Sequence, residues 1–84
     1  MSKVQIDIVA VSPDRKSAIF GECKYKNELM DVDVLDELVY ESKLPGGISE
    51  RYYYLFSKSG FTNKLKAKAK EIPVTLVTLD DLYI

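Results

Sequence analysis

Hydrophobic and polar residues alternate, cluster and break along this chain in a way that predicts six elements. Val4 to Val11 and Ser17 to Tyr25 are two extended, Val- and Ile-rich runs, and both predict strands. Between them lies Ser12-Pro13-Asp14-Arg15-Lys16, where Pro13 favours a turn start and Asp14 a turn interior. The two runs therefore form an antiparallel hairpin. In Asp31 to Val39 the spacing changes to a helical one: Val34, Leu35, Leu38 and Val39 share one face, and Asp31 and Asp33 suit the positive end of the dipole. Leu44-Pro45-Gly46-Gly47 ends that helix. Arg51 to Phe56 predicts a third strand, broken at Gly60. Thr62 then caps a second helix with the apolar stripe Phe61, Leu65, Ala69 and Ile72. Pro73 closes that helix before a last strand, Val74 to Thr78, and residues 79–84 read as a short terminal turn.

The order β-β-α-β-α-β implies an α/β domain with a mixed four-stranded sheet, a hairpin followed by two right-handed crossovers. Both helices then lie on one side and leave the other sheet face uncovered. That face predicts a homodimer, or docking against a companion segment.

Hairpin register follows from polarity. A turn centred between Asp14 and Arg15 sets Val4, Ile6, Ile8 and Ala10 against Tyr25, Cys23, Gly21 and Ile19, an apolar face on which Cys23 is expected as a buried, inert thiol. The opposite face pairs Val9 with Phe20, Val11 with Ala18, Asp7 with Glu22 and Gln5 with Lys24. Slipping by one residue would scatter the acids and spoil the apolar set. Directly opposed side chains have Cβ atoms about 4.5–5.5 Å apart, so two carboxylates there repel unless a cation intervenes. Lys24 supplies one positive charge, and a divalent metal would supply two. A structural ion-pair cluster on a solvated sheet end is the other reading of Asp7, Glu22 and Lys24.

Composition narrows the chemistry. The 84 residues are 46% hydrophobic and 30% charged, the make-up of one small domain, and the net charge of −1 gives no global pull toward nucleic acid or membrane. A domain of this length hides only about 60–65% of its unfolded surface. Histidine is absent, which excludes Ser-His-Asp triads, Cys-His pairs and His-containing zinc sites. What remains is carboxylates, lysine, hydroxyls and main chain, a set that favours hard cations such as magnesium or manganese. One cysteine, no signal-peptide layout and no apolar run near the roughly 20 residues a bilayer needs lead to the expectation of a reduced cytoplasmic protein.

The run Gln5-Ile6-Asp7-Ile8-Val9-Ala10, a turn, then Ala18-Ile19-Phe20-Gly21-Glu22-Cys23-Lys24-Tyr25 resembles the core of the PD-(D/E)XK nuclease superfamily, the restriction-endonuclease-like fold. More narrowly, the chain is similar to the uncharacterised C-terminal domain of archaeal-type ATPases. That likeness extends through Asp31 to Leu35 and Tyr54 to Thr62 to Leu76–Leu82. The resemblance implies a Mg2+- or Mn2+-dependent nuclease or nuclease-like domain acting on DNA. It assigns Asp7, Glu22 and the Cys23 carbonyl to the metal, Lys24 to the attacking water, and an accessory, water-binding role to Gln5. The proline of the motif's name is replaced by Ile6, and glutamate is more usual at the position of Gln5. The family's core opens with a helix and a strand before the first motif strand, whereas this chain starts almost at that strand. Residues 1–84 therefore read as one nuclease-like domain, the distal part of a larger architecture, with an ATPase module in cis or trans as partner. The alternative is a non-catalytic docking or regulatory appendage of such an ATPase.

Lys58, Ser59, Lys64, Lys66 and Lys68 on and before the second helix are candidate nucleic-acid contacts, or else a solvated helix face. Tyr52, Tyr53 and Tyr54 could stack bases, but strand aromatics more often pack a core.

Overall fold

The computed structural model describes residues 8–25, 27–44 and 46–79. The elements follow the predicted order: β1 (Ile8–Val11), β2 (Ser17–Lys24), α1 (Val32–Ser42), β3 (Glu50–Ser57), α2 (Asn63–Lys68) and β4 (Val74–Thr78). They form a single four-stranded sheet in the order β1-β2-β3-β4, with β1 antiparallel to β2 and the other two pairings parallel.

The hairpin turn is held by Asp14. Its carboxylate accepts from the Ser12 hydroxyl and from the Lys16 N–H at 3.0 Å, and these two donors hold its pKa below the ordinary carboxylate range. Arg15 takes the left-handed conformation, φ 63°, which reverses the chain. The strand pairs are Ile8–Gly21, Val9–Phe20, Ala10–Ile19 and Val11–Ala18, the symmetric register.

Both helices pack on one sheet face. Ala18 and Phe20 from β2, Tyr53 and Leu55 from β3, Val34, Leu35 and Leu38 from α1, and Leu65 from α2 form the core with Met30 and Phe61. Leu35, Leu38, Leu55 and Leu65 are fully enclosed, each burial contributing about 1.5–3 kcal/mol. Two successive crossovers running the same way across a sheet produce this one-sided cover.

Asp31 caps α1 by accepting from the Val32 N–H at 2.7 Å. The last turn of α1 carries no basic residue of its own, and β3 supplies one: the Arg51 Nε donates to the Ser42 carbonyl at 3.0 Å. A cation at the carbonyl end of a helix complements its dipole. α2 is shorter than its apolar stripe suggests. It ends at Lys68, and Ile72 reaches the edge of the core from the following turn. Proline disfavours helical backbone in the residue before it, so Pro73 keeps Ile72 out of the helix.

Among the described residues no helix lies on the other face. Ile19 is 37% and Tyr52 44% exposed there, Cys23 is exposed, and Tyr54 and Phe56 stack at 6.3 Å between ring centroids. This corrects the buried thiol expected from sequence. Both faces of β2 read as apolar, and the helices cover the one bearing Ala18 and Phe20, not the one bearing Ile19 and Cys23. Among the described residues, no helix is long and apolar enough to cross a membrane.

Candidate functional site

Parallel strands deliver their carboxyl ends to one rim, where α/β sheets tend to bind ligands. Here β2 and β3 end side by side, with Glu22 paired to Leu55 and Lys24 to Ser57. Alternation sets Phe20, Glu22 and Lys24 on one face, about 6.6 Å apart in steps of two residues. Glu22 is 6% exposed and Lys24 is half-buried, so a carboxylate at the core's margin is followed by an ammonium at the rim. Burying a carboxylate is costly unless charge or hydrogen bonds compensate it, so this placement must be supported by its surroundings.

Main-chain hydrogen bonds hold the rim together. The Lys58 N–H donates to the Lys24 carbonyl at 3.0 Å, joining the chain just beyond β3 to the end of β2. The Gly60 N–H donates to the Ser57 hydroxyl at 3.2 Å. The Met30 N–H donates to the Gly60 carbonyl and the Thr62 N–H to the Met30 carbonyl, both at 2.9 Å, so Met30 and Phe61 form a short parallel bridge between the loops after β2 and β3. Gly60 sits at φ 108°, a backbone conformation that disfavours any side chain. The two helix starts are tied as well. The Thr62 hydroxyl donates to Asp31 Oδ1 at 2.8 Å while accepting from the Leu65 N–H at 3.2 Å. The Val32 N–H and then the Thr62 hydroxyl lower the pKa of Asp31 below the usual carboxylate range.

Of the sequence-predicted site, Glu22 and Lys24 lie on one face at the rim, while Asp7 and Gln5 lie outside the described residues. The register that would oppose Asp7 to Glu22 is the one observed for the four described pairs. The Cys23 carbonyl can be placed by alternation. The Ser17 carbonyl accepts from Ser12 on the β1 side and the Lys24 carbonyl from Lys58 on the β3 side. Main-chain groups of successive strand residues point to opposite neighbours, so the Cys23 carbonyl is directed toward the β1 side. Carboxylate and carbonyl are the hard oxygen donors that Mg2+ or Mn2+ takes, so Glu22 and Cys23 fit the implied ion in chemical type. Among the described residues, no three Cys, Asp or Glu side chains are grouped as a metal site. The further ligand expected from sequence is Asp7.

Residues 1–44 match the DUF234 family, described as archaeal and bacterial proteins of unknown function. The chain belongs to DUF234. No curated protein and no solved structure matches it. The DUF234 match takes in the whole hairpin, Glu22 to Lys24 and α1, and stops before β3.

The lysines singled out beyond that match divide in the structure. Lys64 and Lys66 are exposed, whereas Lys68 turns to α1 and pairs with Asp36 at 2.8 Å. Ser59 is exposed. Lys58 sits with its ammonium 5.0 Å from the centroid of the Tyr25 ring. Sequence reasoning did not pick out Tyr25 as a site residue, because it was counted as the last position of a strand. Its place directly after Lys24 was the available signal. Of the three consecutive tyrosines, Tyr53 is buried in the core, Tyr54 is half-buried and Tyr52 is exposed on the open face.

Proposed function

We propose that this DUF234 chain is a metal-dependent, nuclease-like domain that binds or hydrolyses DNA phosphodiesters. The observation that carries this reading is the placement of Glu22, an almost fully buried carboxylate, two residues from Lys24 at the carboxyl rim of parallel strands. The observed hairpin register supports it, because it is the one required to bring the first acid of the PD-(D/E)XK pattern to Glu22. Asp7, Glu22 and the Cys23 carbonyl would hold Mg2+ or Mn2+, which when bound lowers the pKa of water and neutralises charge on phosphate oxygens. Lys24 stands at the solvent side of Glu22, where its ammonium can hydrogen-bond the attacking water and offset the growing negative charge on phosphorus-bound oxygen. Gln5 adds an uncharged hydrogen-bonding group.

Titration with magnesium or manganese, followed by plasmid nicking by the wild type and by Glu22→Ala, tests the proposal. Nicking that needs metal and disappears in the variant is expected. Equal activity in both proteins would end the catalytic claim.

A separate observation favours a second reading, a non-catalytic docking module associated with an ATPase in cis or trans. The open sheet face presents Ile19, Tyr52, Tyr54 and Phe56, with Glu50 at its margin bonded to the Ser17 hydroxyl, a surface of the kind that associates. The same face also fits the homodimer expected from sequence, a second copy laying its Ile19, Tyr52, Tyr54 and Phe56 against this one across a two-fold axis.

A further inference from the structure

Tyr25 is 66% exposed, although it directly follows the Lys24 of the candidate site and belongs to the stretch that leads out of β2. An aromatic ring left in solvent gains nothing from packing. This one is instead held from one side by the Lys58 ammonium, 5.0 Å from its centroid. The main chain that carries Lys58 is anchored beside β2, because its N–H is bonded to the Lys24 carbonyl at 3.0 Å. The rim thus carries a flat apolar surface with a positive charge over it, one residue on from the half-buried Lys24. Cation–π attraction orients such a ring while leaving its remaining surface available.

We propose that Tyr25 and Lys58 together form a contact for a single-stranded polynucleotide, one unpaired base stacking on the Tyr25 ring and an adjacent phosphate taken by Lys58. Every nucleobase has a π-face, so this contact is tolerant of sequence. In a duplex both faces of each base are covered by its neighbours, so the ring can receive only a base from a single strand, a frayed end or a flipped position. The contact adds to the exposed Lys64 and Lys66 of α2 a second place for a strand to bind. On α2 Lys68 is engaged with Asp36, whereas at the rim Lys58 stands over an accessible ring. The inference rests on the nucleic-acid reading of the rim and does not require that the rim be catalytic.

Fluorescence anisotropy tests it, with 5′-fluorescein oligothymidylate, oligouridylate and a DNA duplex of the same length, at low salt without divalent metal. The parent chain is Glu22→Gln, so that no substrate is consumed. Tighter binding of a single strand than of the duplex is expected. Tyr25→Ala should weaken single-strand binding about five- to 150-fold, the span that loss of one base–aromatic stack covers. Tyr25→Phe should keep it, because the ring and not the hydroxyl is used. Lys58→Ala should weaken binding and lower the salt slope by about one ion. Tyr25 lies outside the core, so thermal melts of its variants should overlay the parent's.

Unchanged binding in Tyr25→Ala, preference for the duplex, or binding of neither form would overturn the inference. The outcomes separate from those of the nicking assay. Tyr25-dependent single-strand binding with no metal-dependent nicking leaves the inference standing and removes catalysis. Glu22-dependent nicking with indifference to Tyr25 does the reverse.

Discussion

One buried hydroxyl pair locks α1 to β3, and its geometry assigns its own protons. The Ser42 Oγ lies 2.7 Å from the Val39 carbonyl and 2.8 Å from the Tyr53 hydroxyl. A carbonyl can only accept, so Ser42 donates to Val39 and Tyr53 must donate to Ser42. Ser42 is fully buried and Tyr53 is 5% exposed, so water cannot replace either partner. Tyr53→Phe removes one donor and leaves Ser42 still bonded to Val39, which should cost about 0.5–1.5 kcal/mol. Ser42→Ala instead strands the Tyr53 hydroxyl in the core, at about 1–3 kcal/mol, offset by up to about 0.5 kcal/mol from alanine's helix propensity. The double variant loses both polar groups and should therefore be less destabilised than the two single losses added together, with a coupling energy of about 1 kcal/mol or more. For a domain this size each 1 kcal/mol moves the Tm by roughly 4–8 °C. Urea melts at constant m-value, with calorimetry as a second probe, give the full cycle. Strict additivity, or a Ser42→Ala chain as stable as the wild type, would show that the pair contributes nothing and that the proton assignment is wrong.

Two further predictions concern the acid limb of stability and the open face. Asp31 has a folded pKa below its unfolded one, so the unfolded chain binds more protons and stability rises with pH. The contribution is complete above the ordinary aspartate value of about 3.9 and is lost as pH falls through the depressed folded value. Asp31→Asn should flatten the stability curve between about pH 5 and pH 2, and an unchanged slope in urea melts would rule out this role. Size-exclusion with light scattering should give a dimer for the wild type and a monomer for Ile19→Lys, whose exposed position on the open face carries no core packing. A well-folded wild-type monomer at micromolar concentration would leave the face without the partner assigned to it.

The parts of the fold that were legible in the sequence are those where local chemistry and burial agree. Pro13 and Asp14 marked the hairpin turn, and polarity across it chose the observed register. Val34, Leu35 and Leu38 gave α1 because a single helical face had to be buried. The sheet's sidedness was not legible. β2 offers Ala18 and Phe20 on one face, Ile19 and Cys23 on the other, and nothing in the strand itself says which the helices cover. That choice depends on non-local crossover packing, and it exposed a thiol expected to be buried. In the site, Glu22 and Lys24 were visible as a spacing, whereas Tyr25 acquires its role only through Lys58, 33 residues away in sequence and adjacent in space.

One-sided cover has a consequence for where chemistry can sit. Both crossovers start from the carboxyl ends of β2 and β3, so both loops and both helix caps, Asp31 and Thr62, must meet at the same rim. The rim is then joined by main-chain bonds through Met30, Gly60 and Thr62, and by the Thr62–Asp31 contact. Main-chain bonds thus carry most of the linkage between the loops, with the Ser57 hydroxyl and the Thr62–Asp31 contact as its side-chain part. The uncovered face follows from the same topology. Among the described residues both helices lie on one side of the sheet, so association on the other and chemistry at the rim are parallel outcomes of one arrangement of crossovers.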